Sequence, residues 1–329
     1  VAHPRHLTRR ARAAAVAASG TALAAALLAA PGLGNAAVPA ADVLAAPSPG
    51  AAECEEDSGA RVGKGATAQE PPLYAAKDAK KYGVIKDSPR LADGSVRVET
   101  VFHVITDDAP TAQERARMEG MIAAQMQVLN DAFAGTAPGA EADASDTPFR
   151  FDLTETTWTE DAAWAHVAPG KVEREMKAEL HQGDSETLNV YAADIGGGLL
   201  GWAYFPKGYN AGRDYVDGVV ILDESMPGGA AAPYNLGDTL THEVGHWLML
   251  EHTFAGACSA SGDGVADTPR EAYPQFGCPE GVDSCTAPGT DPVHNFMDYT
   301  DDECMDHFTA GQADRMSDAW VAFRAGGQG

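Results

Sequence analysis

"THEVGHWLMLEHTF", residues 241–254, is the stretch on which the reading of this chain turns. It holds His242, His246 and His252, with Glu243 beside the first and Met249 between the last two. On an α-helix, residues four apart lie about 40° apart around the axis and about 6 Å along it. His242 and His246 therefore present their imidazoles from one face, close enough to share a metal ion. Glu243 lies too far round to join as an equal ligand, but it can reach a water on that ion and move its proton. Leu236, Leu240, Val244, Trp247, Leu248 and Leu250 set apolar side chains around the histidines, which predicts a buried helix over 236–250. Unpaired buried imidazoles are costly, and a metal removes that cost.

His252 needs a different argument. On an unbroken helix it would stand about 240° round and about 9 Å beyond His246, on the wrong face. A shared ion therefore requires the helix to break near position 249. Glycine accepts positive φ without penalty, yet the chain has Met249 there. An L side chain in the left-handed region costs roughly 1–2 kcal/mol, well below the order of 10 kcal/mol that zinc ligation supplies. The expectation is a strained bend that the site tolerates.

The remaining chain bounds the context. Its 329 residues, 44% hydrophobic and 22% charged, are those of a soluble globular protein. Arg5, Arg9, Arg10 and Arg12 precede "AAAVAASGTALAAALLAA" and then "PGLGNAAVPAA". That order reads as a secretory signal over residues 1–37, with Gly34-Asn35-Ala36 or a site a few residues later as the cut. An N-terminal membrane anchor is the other reading of the same run, and the Arg9-Arg10 pair leaves the export route open. No second apolar run is long enough to span a bilayer, which predicts a secreted, extracellular monomer without stable membrane association. A net charge of −25 repels phosphate backbones and argues against nucleic acid as a partner, while it suits basic peptides and cations. Of five cysteines, Cys258, Cys278, Cys285 and Cys304 cluster and Cys54 stands apart, so two bridges and one odd thiol are expected. Spacing alone leaves all three pairings of the four open.

Residues 38–94 are rich in Ala, Pro, Gly and charge without periodicity, and read as a pro-segment or flexible extension. Order begins at "SVRVETVFHVI", a strand, and "TAQERARMEGMIAAQMQVLNDAF", a Thr-capped amphipathic helix. "FRFDLTETTW", "TLNVYAA", "GGGLLGWAYFP" and "YVDGVVILDES" follow as strands, and "TAGQADRMSDAWVAFRA" as a C-terminal helix. The fold class is α+β: a mixed twisted sheet, a long backing helix, an active-site helix and an irregular disulfide-tied C-terminal subdomain, spanning 95–329.

His242, Glu243, His246 and His252 occupy the four functional positions of H-E-x-x-H-x-x-G-x-x-H, with Met249 departing at the glycine. Met297, in "HNFMDYTDDECMDHFTAGQ" at 294–312, follows 45 residues after His252. With these two motifs in this order, residues 96–325 resemble the pappalysin family of metzincin zinc peptidases. The resemblance implies a metzincin-like catalytic domain that hydrolyses peptide bonds in proteins, with Zn2+ held by the three histidines and Glu243 as general base. It also implies that Met297 forms the turn beneath the metal and that Tyr299 steadies the transition state. It suggests the pairing Cys258–Cys285 and Cys278–Cys304, and a calcium (Ca2+) loop in "SGDGVADTP" built from Asp263, Val265, Asp267 and Thr268; an ordinary Asp/Gly-rich turn is the other reading of that loop. Asp302 would line the pocket for the residue after the cut bond and favour Arg or Lys. Cys54 is read either as a latency switch that blocks the metal through its thiolate or as an incidental cysteine. Two other functions stand beside a peptidase: a zinc site with two histidines and a distant acid, and a catalytically degenerate scaffold that serves as a secreted binding protein.

Overall fold

The computed structural model describes residues 59–66, 88–140, 144–206 and 214–326. The chain divides into units Val1–Ala51 and Ala52–Gly329, and every described residue belongs to the second. The expected signal segment 1–37 and Cys54 lie outside the described residues.

Strands β1 (Ala60–Val62), β2 (Val96–Thr106), β3 (Phe149–Glu160), β4 (Leu188–Ala193), β5 (Leu199–Trp202) and β6 (Val219–Leu222) form one sheet in the order β1-β5-β6-β4-β2-β3. β3, β2, β4 and β6 run parallel, and β5 turns antiparallel to β6. β4 and β6, inside the sheet, are buried along nearly their whole length because both of their faces are covered. Phe102, Val104, Val190 and Ile221 pack under helix α1 (Ala112–Phe133) through Met118, Ile122, Met126 and Leu129. Ile105, Tyr191, Trp202 and Val220 face the opposite side with Ala165 and Met176. Thr111 caps α1, and Glu114 returns the bond in a capping box.

Two helices between β3 and β4 have no clear signal in the sequence, α2 (Ala162–Ala165) and α3 (Lys171–Leu180). α3 buries Glu173, Met176 and Lys177, so its inner face is an ion pair of 3.0 Å around one methionine instead of an apolar stripe. Glu173 also accepts from Trp202 Nε1 at 2.7 Å and Tyr204 Oη at 2.9 Å, which ties β5 to the body. The active-site helix, α4 (Asp238–Trp247), is shorter at both ends than the apolar pattern suggests, and Leu236 is exposed before its start. Beyond it the chain is irregular as far as α5 (Ala310–Ala319), which Thr309 caps with Gln312. Disulfides Cys258–Cys285 and Cys278–Cys304 cross within that lobe.

β1 falls inside the segment read as a flexible extension. It lies antiparallel along β5, and all three residues are buried. No helix among the described residues is long and apolar enough to cross a membrane.

Candidate metal centre

α4 ends at Trp247, and the bend beyond it falls at the predicted position, Met249. Met249 adopts φ 75°, in the left-handed region, and the N–H groups of Met249 and Leu250 turn back to His246 O (2.8 Å) and Gly245 O (2.9 Å). Its side chain is fully buried with Phe205 and Ala319, and Arg315 Nε donates to its carbonyl at 2.8 Å. Burying a methionine stabilises by about 1.5–3 kcal/mol, which offsets the roughly 1–2 kcal/mol of backbone strain. Packing therefore explains how this bend does without glycine.

The bend brings His252 to the other two imidazoles. The Nε2 atoms of His242, His246 and His252 lie 3.0–3.2 Å from one another. His242 Nδ1 lies 2.7 Å from Phe296 O and His246 Nδ1 lies 2.8 Å from Leu250 O. A carbonyl only accepts, so each Nδ1 carries the proton and each Nε2 presents a lone pair. Burial drives His246 down to about 4, and burial with the neighbouring rings drives His242 and His252 well below the ordinary imidazole range. Three neutral imidazoles converge on one point, and for His242 and His246 the tautomer aims a lone pair at it. Without a cation their lone pairs repel; a zinc ion takes three such nitrogens and keeps a further position for water or substrate.

Glycines let the surroundings close in. A Cβ at Gly245 would stand 2.4 Å from Met297 Sδ, so the methionine packs directly on the helix between the first two histidines. A Cβ at Gly201 would meet Glu243 Cγ at 2.9 Å, so only glycine lets β5 approach the acid this closely. At the far end of α4, Arg324 stacks on Trp247 at 3.4 Å and forms two bonds of 3.0 Å with Asp217. Asp217 also accepts from Trp247 Nε1 at 2.9 Å. Sequence reasoning missed Gly201, Asp217 and Arg324; Gly245, inside the motif, was the one open to prediction.

Tyr299 stands edge-on to His252 with ring centroids 4.8 Å apart. Its hydroxyl donates to Ala60 O at 2.6 Å, and the His252 ring also hydrogen-bonds that carbonyl. Glu243 Oε1 accepts from Arg61 N at 2.9 Å. Asp302 is split between two tasks. Oδ2 accepts from the N–H groups of Leu236 (2.8 Å) and Gly237 (3.1 Å) at the start of α4, and Oδ1 meets Arg61 Nη1 at 2.7 Å. Burial, with the Asp302 carboxylate nearby, pushes Asp238 well above the usual carboxylate range.

The 263–268 loop divides. Asp263 is buried, and burial pushes its carboxyl up to about 7; its Oδ1 accepts from Val265 N at 3.0 Å. Asp267 faces α5 instead, accepting from Thr309 Oγ1 and Gly311 N at 2.8 Å each. Thr268 is buried beside them.

Comparisons with known proteins converge on one group. The family model described as "Pregnancy-associated plasma protein-A" matches residues 178–321. Extracellular metalloprotease 1 of Coccidioides posadasii is 42% identical over 265 residues, covering 78% of this chain and 89% of that protein. An extracellular metalloprotease of Verticillium alfalfae is 42% identical over 230 residues, covering 69% and 78%. Among solved structures, mature mirolysin of Tannerella forsythia with a cleaved peptide aligns at TM-score 0.58 and 30% identity, over 68% of this chain and 91% of that one. A promirolysin mutant from the same organism aligns at TM-score 0.60 and 27% identity, over 75% and 86%.

Proposed function

The chain belongs to the pappalysin family of metzincin zinc peptidases and is an extracellular metalloendopeptidase; from that premise we propose which residues do its chemistry. His242, His246 and His252 hold the zinc through Nε2. Bound there, zinc supplies a Lewis acid that polarises a peptide carbonyl and makes water acidic near neutral pH. Glu243 takes the proton from the attacking water and returns it to the leaving nitrogen. The 2.9 Å contact between its Oε1 and a backbone N–H supports that second task. Tyr299 donates to the carbonyl oxygen as negative charge gathers on it, consistent with its 2.6 Å bond to a backbone carbonyl. β5 holds extended substrate by antiparallel main-chain pairing, as it holds β1. Met297 supports the helix from below through the gap at Gly245.

Protein and peptide chains are the substrates, and Asp302 selects Arg or Lys after the cut bond. The observation that carries this preference is the guanidinium already seated on Asp302 Oδ1, with Thr300 O at 2.7 Å and the Tyr234 ring at 5.3 Å. Buried charge-assisted bonds of this kind reject neutral side chains. Residues 1–37 act as the export signal and the catalytic domain begins near 95. A calcium ion beside Asp263 is the remaining part of the reading, since a cation would keep that buried carboxyl ionised. Profiling cut sites in a random peptide library tests the preference: enrichment of Arg and Lys directly after the cut is expected, and an even distribution would overturn it.

A further inference from the structure

We propose that Tyr234 is a specificity-determining residue of this site, whose ring admits glycine, and not a bulky side chain, as the third residue after the cut bond. The proposal rests on the reading that β5 holds substrate as it holds β1 and that Asp302 takes the residue after the cut. It adds a second point of selection two residues further along the substrate.

In that register Arg61 stands where the first residue after the cut bond would lie, Val62 where the second would, and Gly63 where the third would. Arg61 is opposite Gly201 and Val62 opposite Leu199. Gly63 N then donates to Gly198 O at 3.0 Å, so the main chain stays tied to this side of the cleft for one residue beyond β1. Side chains alternate along an extended segment, which sets positions 60 and 62 on one side and 61 and 63 on the other. Ala60 and Val62 join the apolar cluster of Leu199, Trp202 and Tyr299. Tyr234 walls the other side. The Arg61 guanidinium lies 5.3 Å from the centre of its ring, and a Cβ at Gly63 would stand 3.3 Å from Cε2 and 3.9 Å from Cδ2 of the same ring.

The backbone does not require glycine at this position. The φ of Gly63 lies outside the left-handed region, so an L residue could adopt it. Space decides instead. A contact of 3.3 Å at Cβ is already tight, and a longer side chain must displace the ring. The ring has little room to withdraw. It is buried at 7% exposure, Tyr234 N donates to Ala231 O at 2.8 Å, and Pro233 O, just before it, accepts from Asp302 N at 3.3 Å. Its hydroxyl accepts from Lys64 N at 3.2 Å. Asp302 thus anchors the chain next to Tyr234 by its main chain and the guanidinium by its carboxylate.

Fluorogenic peptides of the form Ala-Arg-Val-X-Ala-Ala, with X as glycine, alanine, leucine or tryptophan, test this. In the wild-type protein kcat/KM for glycine should exceed that for leucine by at least about tenfold, with tryptophan the poorest. Tyr234→Ala should bring the glycine-to-leucine ratio to within about twofold, and Tyr234→Phe, which keeps the ring, should retain the selection. Each ratio is taken within one variant, so the amount of folded enzyme cancels. Should Tyr234→Ala fail to fold, Tyr234→Leu replaces it with the same expectation. No selection at X in the wild type, or full selection in the variant without the ring, would overturn the proposal. A parallel set with leucine in place of arginine separates this from the reading beneath it. A wild type that selects arginine but is indifferent to X would overturn the proposal alone. Indifference to both would overturn the reading of the cleft and the proposal together.

Discussion

Gly245 and Met297 pack so closely that a Cβ on the glycine would stand 2.4 Å from the methionine sulfur. The glycine sits in the helix turn between His242 and His246, and Phe296, the residue before the methionine, orients His242 through its carbonyl at 2.7 Å. The two motifs, 45 residues apart, therefore act as one structural unit. Gly245→Ala should force them apart, destabilise the fold by about 1–3 kcal/mol and weaken zinc retention. Urea unfolding together with a chelator competition checks both. A variant with wild-type stability and metal retention would show that the contact is dispensable.

Met249 allows a test of strain against packing. Met249→Ala keeps the left-handed backbone and loses the contacts with Phe205 and Ala319, so it should cost about 2–5 kcal/mol. Met249→Gly loses the same contacts but relieves the strain, and should be more stable than the Ala variant by about 1 kcal/mol. Thermal unfolding of the pair decides it. An Ala variant equal to or better than Gly would mean that the bend carries no strain.

Asp302→Asn keeps an oxygen for the N–H groups of Leu236 and Gly237 but removes the charge that faces Arg61. Loss of one charged hydrogen bond of about 1.5–3 kcal/mol lowers kcat/KM for arginine peptides by about 10- to 150-fold. Peptides with leucine at that position should lose much less. Equal losses for both peptides would assign Asp302 to the fold and not to selection.

Glu271 supplies a pH dependence. It is fully buried, with Thr253 Oγ1 donating to it at 2.6 Å. Burial, with the Asp298 carboxylate nearby, pushes its carboxyl up to about 9 from its ordinary 4.5. The folded chain therefore holds a proton that the unfolded chain has released, and stability falls as pH rises through that window. Glu271→Gln removes this titration. Its Tm should match wild type near pH 5 and exceed it near pH 8, by about 2–4 °C for each kcal/mol recovered. A variant no more stable than wild type at pH 8 would contradict the assignment.

The histidine cluster could be read from sequence because helical spacing fixes two of its members and the third demanded a bend, found at Met249. The strands were legible wherever apolar runs ended at turn residues. α3 was hidden because its buried face is the Glu173–Lys177 pair, which has no hydrophobic period. Arg61 was hidden for another reason. It lies in a stretch without periodicity, and its partners Thr239, Glu243, Thr300 and Asp302 come from 178 to 241 residues further along the chain. The apolar character of Leu236 predicts a core position, yet α4 starts after it and leaves it in solvent.

The most direct test of the central claim measures zinc content and casein hydrolysis in the purified protein and in Glu243→Gln. Equal zinc in both is expected, with hydrolysis lower in the variant by about 10²–10⁴-fold. A protein that hydrolyses casein without zinc, or a variant as active as wild type, would contradict a peptidase built on His242, His246, His252 and Glu243.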